Sequence, residues 1–100
     1  MNVDEFKSLA EHITQATSGA VIDHSIAGGE LELRTTRDKL LQLLLFLRDD
    51  GKCLFKQLVE ISGLDYPERA ERFDVAYFLL SLRHNRRIRV KVATDEKNAV

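Results

Sequence analysis

The sequence predicts an α+β domain in which two helices pack on one face of a mixed, largely antiparallel five-stranded sheet. Three observations support this class. Apolar residues recur at helical spacing in two segments, residues 3–13 and 40–47. Two adjacent glycines separate two short extended segments, which is typical of a β-hairpin. The second half contains a nearly continuous apolar run followed by an alternating one, as in paired strands. The predicted element order is α-β-β-α-β-β-β.

The first helix has an apolar stripe with spacings of three and four: Val3, Phe6, Leu9, Ala10 and Ile13. Asp4 and Glu5 fall in its first turn, where the helix dipole favours negative charge. Gly19 is a suitable stop signal. These features predict an amphipathic helix at the start of the chain.

A β-hairpin is predicted next, with arms at residues 20–27 and 30–34 around Gly28 and Gly29. The tight turns that fit a twisted hairpin need positive φ angles, which glycine adopts without steric cost. In the second arm Leu31 and Leu33 alternate with charged residues, as expected of a half-buried strand.

The second helix is rich in leucine. Thr35 is predicted to cap it, with Asp38 in the capping-box position, and Gly51 is predicted as the residue that ends it. The apolar stripe of this helix is widened by two further leucines, so burial of a broad face is expected: Leu40, Leu43, Leu44 and Leu47, with Leu41 and Leu45.

Three strands are predicted in the second half, at residues 54–62, 73–82 and 86–93. The first of these also fits a helical period, but Gly51 and Gly63 bound a run so short that a strand is favoured. Residues 83–86 make a tight connection between the last two strands, which should therefore pair antiparallel.

Composition indicates one soluble domain spanning residues 1–100. Apolar residues make up 44% of the chain and charged residues 31%, which is typical of a globular protein. Apolar runs such as residues 43–47 are far shorter than the ~20 residues that cross a bilayer. The net charge is −1, but residues 1–50 carry five Lys/Arg against nine Asp/Glu, and residues 51–100 carry ten against seven.

No catalytic, cofactor-binding or metal-binding residues are predicted. His12, His24 and His84 have no partner at a metal-ligand spacing, and surface or filler roles are expected for them. Cys53 is the single cysteine, and an iron–sulfur cluster takes about four. Gly28 and Gly29 lack the later glycine of a dinucleotide-binding fingerprint.

The predicted hairpin at the end of the chain is basic, and it is the first candidate binding surface. Its cations are Arg83, Arg86, Arg87, Arg89 and Lys91. They can form an electrostatic surface for an acidic partner or for phosphates, or simply a solvated strand face. No aromatic residue is interleaved among them, which disfavours a surface for stacking bases.

The loop at Asp65, Tyr66, Pro67, Glu68 and Arg69 is the second candidate. Its proline favours an extended or turn conformation over a helix. The loop can be a docking segment, or a plain connector in which Tyr66 packs on the sheet edge. Both interpretations remain open from the residues alone.

A succession of short motifs between Leu45 and Val92 resembles the C subunit of proton-pumping NADH:quinone oxidoreductase. The motifs follow one another in this order: 46–50 (FLRDD), 65–69 (DYPER), 72–73 (RF), 79–82 (LLSL), Asn85 and 87–92 (RIRVKV). The order of the whole set is more specific than any single motif. The resemblance covers about half of the chain closely and the rest through element order.

The resemblance implies a structural and assembly subunit in the peripheral arm of that complex, an enzyme only in the sense that the whole assembly is one. It implies no cofactor in this chain, with NADH, FMN, iron–sulfur clusters and quinone bound by partner subunits. The implied partners are the quinone-site D subunit and neighbouring iron–sulfur subunits. The implied location is the cytoplasmic face of the bacterial inner membrane, or the matrix side in an organelle, with membrane association through partners only. Contacts are expected at the predicted partner-binding residues: Asp65, Tyr66, Glu68, Arg69, Arg83, Arg87, Arg89 and Lys91.

One block of the family pattern, His-Pro-Asp-Leu-Arg-Arg after the last strand, is not found in this sequence. The chain is therefore interpreted as the N-terminal domain of a longer family chain, without the C-terminal signature region. Two alternatives remain open. One is the equivalent subunit of a membrane-bound hydrogenase or related dehydrogenase, and the other is a small nucleic-acid-binding module that uses the basic hairpin.

Overall fold

The computed structural model describes residues 3–65 and 73–94. Its elements are α1 (Val3–Thr17), β1 (Val21–Ala27), β2 (Glu30–Thr35), α2 (Leu40–Asp49), β3 (Gln57–Asp65), β4 (Phe73–Ser81) and β5 (Arg86–Thr94). The predicted α+β class and the predicted element order are confirmed.

The five strands form one mixed sheet in the order β1-β2-β5-β4-β3. The last strand in sequence is therefore the central one. It pairs in parallel with β2, with Leu31 opposite Ile88, and antiparallel with β4, with Leu79 opposite Ile88. The other two pairings, β1 with β2 and β3 with β4, are antiparallel.

The core lies between the helices and the central strands. Ile88, Val90 and Val92 of β5 and Leu31 and Leu33 of β2 are all buried. Because side chains alternate across a strand, these residues share the face that the helices cover. The helices contribute the remaining buried side chains of this layer: Phe6, Leu9, Ala10, Ile13, Leu40, Leu43 and Leu47.

Two predicted turns are confirmed. After α1 the chain reverses through Ser18 and Gly19, which have φ angles of 46° and 95°. Between β1 and β2, Gly28 and Gly29 have φ angles of 60° and 77°. Two consecutive positive φ values match the tight hairpin turn whose twist suits the flanking strands.

The predicted N-cap of the second helix is wrong. Thr35 is the last residue of β2, and its hydroxyl donates to the carbonyl of Ala20. The helix begins later, at Leu40, with Lys39 as N-cap and no side-chain cap. At the other end Asp50 leaves the helix in an extended conformation. Gly51 follows Asp50 directly, so it stands where the sequence predicted the end of the helix, although its φ angle is not positive.

The broad buried face predicted for α2 is narrower than expected. Leu43 and Leu47 are fully buried, whereas Leu41 is 67% exposed and Leu45 is 41% exposed. The reason is the helical period: at 3.6 residues per turn, Leu41 and Leu45 lie about 160° around the helix from the buried Leu43 and face away from the sheet. Gln42 reaches the carbonyl of Thr17 and links α2 to the end of α1.

The third strand is shifted relative to the prediction. It begins at Gln57, and Phe55 is buried just before it. A bulge interrupts its register between Leu58 and Glu60, and Leu58, Val59 and Ile61 are all more than half exposed. Two helices of about 10 Å diameter cover roughly four strands spaced about 4.8 Å apart. The outermost strand β3 therefore has little cover.

Within residues 3–65 and 73–94, neither helix is long and apolar enough to cross a membrane.

Candidate partner-binding surface

The β4–β5 hairpin carries the predicted basic residues, and the structure divides them into two groups. Arg89 and Lys91 project from the sheet face opposite the helices, next to the carboxylates of β2. Lys91 Nζ lies 3.0 Å from Glu32 Oε1. Arg89 Nε lies 3.7 Å from Glu30 Oε2 and 3.9 Å from Glu32 Oε1. Both cations are largely buried and neutralised by cross-strand ion pairs.

Arg83 and Arg87 form the second group and are exposed. Arg83 lies in the turn after β4, where Asn85 adopts a positive φ of 53° that closes the hairpin. Arg87 is the cross-strand partner of Leu80. Leu80 in turn pairs with Gln57 at the start of β3. A row of neighbouring side chains therefore runs from the edge of the sheet to Arg87.

An apolar groove lies at this edge, between the start of β3 and the end of β4. We call it the β3–β4 groove. It has a volume of about 530 Å³ and is lined by Gly51, Leu54, Lys56, Gln57, Leu80, Leu82, Arg83 and His84. Leu82 is the most exposed large apolar residue in the described part of the chain, at 68%. Leu54 enters the groove from a backbone with a φ of 50°, a conformation that a branched residue rarely adopts.

The predicted docking loop is described only at its borders. Asp65 ends β3, and its backbone pairs with that of Phe73 at the start of β4. Tyr66, Glu68 and Arg69 lie outside the described residues. A role for this loop in binding stays a prediction.

A cluster of three polar side chains joins α1 to the end of α2, and it was not predicted from the sequence. His12 of α1 donates from Nε2 to Oδ2 of Asp50 at 2.9 Å. The same carboxylate oxygen accepts the backbone N–H of Lys52 at 3.0 Å. Cys53, which is fully buried, also donates to Asp50. His12 and Asp50 are 38 residues apart, so no local motif signals their contact.

Burial and hydrogen bonds shift the pKa values of Asp50 and Cys53 in opposite directions. Burial alone would raise the pKa of Asp50, but the hydrogen bonds from His12, the Lys52 amide and Cys53 outweigh it, so the pKa is lowered. Burial, together with the hydrogen bond and negative charge of Asp50, raises the pKa of Cys53 to about 12. Asp50 is therefore an anion and Cys53 a neutral thiol at neutral pH.

The cluster contains one nitrogen, one oxygen and one sulfur atom within 4.8 Å of one another. Such donors are of the kinds that bind zinc. Structural zinc sites take four ligands, and this cluster brings together three donors from the described residues. The arrangement works as a network of hydrogen bonds that fastens α1 to α2.

A second cavity, of about 450 Å³, adjoins this cluster between α1 and the β4–β5 turn. Its lining combines the carboxylates of Asp4 and Glu5 with the cations of Lys52 and Arg86. Because both signs of charge are present, this cavity has less electrostatic preference than the β3–β4 groove, which is lined by the two cations Lys56 and Arg83 and by no carboxylate.

Fold and surface together describe an α+β domain, a mixed sheet with helices on one face and an open apolar groove at one edge. Comparison with known proteins identifies the family. Residues 33–100 match the family described as respiratory-chain NADH dehydrogenase, 30 Kd subunit. The chain belongs to this family, which confirms the resemblance seen in the sequence.

Curated relatives agree. The chain is 52% identical over 97 residues to the C subunit of NADH-quinone oxidoreductase from Azorhizobium caulinodans, and the match covers 97% of the chain and 46% of the relative. It is 50% identical over 97 residues to the same subunit of Maricaulis maris, covering 97% of the chain and 48% of the relative. The chain thus spans about half the length of the relatives it matches.

A solved structure shares the fold. A chain of the membrane-bound sulfane sulfur reductase, an archaeal respiratory membrane complex, superposes with a TM-score of 0.74 at 18% identity. The superposition covers 95% of this chain and 54% of that one. At such low identity the likeness concerns the fold.

Proposed function

We propose that this chain is a structural and assembly subunit in the peripheral arm of proton-translocating NADH:quinone oxidoreductase. Hydride transfer, electron transfer and quinone reduction take place in other subunits. The observation that carries the proposal is the identity of about half of all residues, across nearly the whole chain, with relatives that are C subunits of this enzyme.

The environment of the single cysteine supports a role without redox chemistry in this domain. Cys53 is fully buried and holds its proton, with a pKa raised to about 12. Ligation of an iron–sulfur cluster needs thiolates, usually four of them. This chain supplies one cysteine. NADH, FMN, iron–sulfur clusters and quinone are assigned to the partner subunits.

The proposed partners are the quinone-site D subunit and the neighbouring iron–sulfur subunits. The contact residues proposed from the sequence differ in what the structure supports. Arg83 and Arg87 are exposed and available for a partner. Arg89 and Lys91 are engaged with Glu30 and Glu32, so their proposed contribution is to hold the sheet face in shape. Membrane association, on the cytoplasmic face of a bacterial inner membrane, is proposed to occur through these partners.

The test is co-purification from a bacterium that carries the complex. The full-length parent of this chain is tagged, membranes are solubilised in mild detergent, and the eluate is analysed by mass spectrometry and assayed for NADH:quinone activity. Recovery of the quinone-site subunit and the iron–sulfur subunits with that activity is expected. Recovery of hydrogenase subunits, or of no respiratory subunit, overturns the proposal. A Leu43→Asp variant, which disrupts the core, is the control for specific capture.

The alternative of nucleic-acid binding has less support. Two of the hairpin cations are neutralised by β2 carboxylates 3.0 to 3.9 Å away. Affinity for nucleic acid rises with the number of phosphates that cations can contact. Of the remaining three, Arg86 is partly buried and donates to the Lys52 carbonyl at 3.4 Å, so the exposed Arg83 and Arg87 offer few such contacts.

A further inference from the structure

The β3–β4 groove combines an apolar floor with a basic rim. Leu54, Leu80 and Leu82 supply the floor, and Leu82 is 68% exposed. Large exposed apolar residues beside a concave surface often mark interaction sites. The volume of about 530 Å³ falls within the range of roughly 300–1,000 Å³ that holds small ligands or anchoring side chains.

The rim of the groove is positively charged, and its cations are not neutralised by carboxylates of the described residues. Lys56 and Arg83 line the groove, and Arg87 lies beside Leu80 on the neighbouring strand. None of the three forms an ion pair with another residue in the ranges 3–65 and 73–94. Asp49, whose charge acts on Lys56, is held by Arg48 through hydrogen bonds of 2.8 and 2.9 Å, and Glu30, which lies near Arg87, is paired with Arg89 at 3.7 Å. Arg48 is the main cause of the lowered pKa of Asp49, to which Lys56 adds a smaller effect.

We propose that the β3–β4 groove is the docking site for an acidic amphipathic segment of a partner subunit. One or two large apolar side chains of the segment insert between Leu54, Leu80 and Leu82. Carboxylates that flank those side chains pair with Lys56, Arg83 and Arg87. The inference rests on the proposed assembly function and assigns that function to one surface and one kind of partner.

Charge and shape select this occupant over others. A second copy of the chain would have to present a complementary acidic apolar segment, and the exposed apolar residues of β3 are interrupted by a bulge that opposes edge pairing. A nucleic acid would use the cations but gain nothing from three leucines. An acidic segment with apolar side chains uses both parts of the groove, and buried apolar anchors ringed by polar contacts are typical of interface hot spots.

The first experiment is site-specific photo-crosslinking within cells that carry the complex. The photoreactive residue p-benzoylphenylalanine replaces Leu82 in the full-length parent chain. In a matched variant it replaces Ile22, which is 61% exposed on β1 at the other edge of the sheet. Crosslinked peptides are identified by mass spectrometry. Expected is a product from position 82 with one segment of another subunit of the complex, rich in Asp/Glu and containing Leu, Ile or Phe.

Two substitutions then test the groove, one in its apolar floor and one at its basic rim. Leu82→Asp and Arg83→Glu should each reduce the yield of that crosslink or of the co-purified subunit at least about tenfold, as loss of an interface anchor does. Ile22→Asp should leave the yield unchanged. Reversing the acidic residues of the identified segment to Lys should restore capture by Arg83→Glu. Unchanged thermal unfolding of each variant shows that the domain remains folded.

Several outcomes overturn the proposal: a crosslink from position 82 to a second copy of the chain or to RNA, a partner segment without carboxylates, or full capture by both groove variants. The assembly function is judged separately by the wild-type chain. If the wild type recovers the complex and the groove variants do so equally, only the groove assignment fails. If the wild type recovers no respiratory subunit, the assembly function fails first.

Discussion

Asp50 is the residue whose replacement tests the packing of the domain most directly. Its carboxylate accepts hydrogen bonds from His12, from the Lys52 amide and from the thiol of Cys53. The first of these spans 38 residues and connects α1 with the end of α2. Asp50→Ala removes the acceptor and leaves all three donors in place.

The expected loss of unfolding free energy depends on whether water can replace the carboxylate at each of the three donors. A hydrogen bond to a charged group contributes about 1.5–3 kcal/mol net. Water replaces the carboxylate at the exposed Lys52 amide at little cost. The fully buried Cys53 thiol loses its acceptor, and the half-buried His12 loses its ionic partner. We expect a loss of about 2–4 kcal/mol from a total stability of about 5–15 kcal/mol.

The assay is equilibrium urea unfolding at pH 7, monitored by circular dichroism. Asp49→Ala is the matched control, because Asp49 is the adjacent residue but is exposed and contacts only its neighbour Arg48 among the described residues. The control should unfold at the same urea concentration as the wild type. For Asp50→Ala, a loss of about 2–4 kcal/mol lowers the urea midpoint by roughly 1–2 M at an m-value of about 2 kcal/mol/M.

The effect of Asp50 should also depend on pH. A carboxyl whose pKa is lowered in the folded state contributes stability that is fully present above its unfolded value, about 3.9. That contribution disappears as the pH falls through the lower, folded pKa. The difference between wild type and Asp50→Ala should therefore shrink as the pH falls below about 4. Equal destabilisation by the two alanine variants at pH 7, or a gap that widens below about pH 4, refutes the assigned role of the cluster.

Further predictions concern reactivity, packing and the sheet face. Cys53 should resist Ellman's reagent at pH 8 in the folded chain and react at once in urea, because it is fully buried with a pKa of about 12; rapid labelling without urea would contradict this. Leu43→Ala should cost about 2–5 kcal/mol in urea unfolding, whereas Leu41→Ala, at a site 67% exposed, should cost little; similar costs would mean that α2 is rotated. Glu32→Ala removes the partner of Lys91 at 3.0 Å, where the side chains are 11% and 16% exposed, and should lower stability by about 1–3 kcal/mol. Restoration of that loss by the added change Lys91→Met would confirm the ion pair, and an unchanged loss in the double variant would argue against it.

The sequence predicted those parts of the fold that depend on local patterns. Periodicity located both helices and all five strands, and Gly28-Gly29 located the hairpin. The alternation in β5 correctly separated the buried Ile88 from the outward Arg87. These features are local because backbone geometry determines the spacing of side chains along each element.

The parts that could not be predicted depend on which elements become neighbours. Thr35 has the residue type and spacing of a cap, yet the pairing of β2 with β1 keeps it in the sheet, where it bonds Ala20. Leu41 was expected to widen the buried leucine stripe of α2, but it is 67% exposed. The same applies to the candidate site. From the sequence, Arg89 and Lys91 are candidate binding residues, but β5 pairs with β2 and they form ion pairs with its carboxylates. The groove could not be predicted because Leu54 and Leu82, which both line it, are far apart in sequence.

The central position of β5 has a consequence for synthesis on the ribosome. Leu31 of β2 pairs with Ile88 of β5, so β2 is synthesised well before the strand beside which it lies in the folded domain. Until then β2 lacks one neighbour, and its apolar residues have only the helices to cover them. Contacts between residues so distant in sequence slow folding and prolong the exposure of apolar strands. A nascent chain stalled before residue 86 should therefore remain open to proteases and chaperones, and it should become resistant only when β5 has left the exit tunnel.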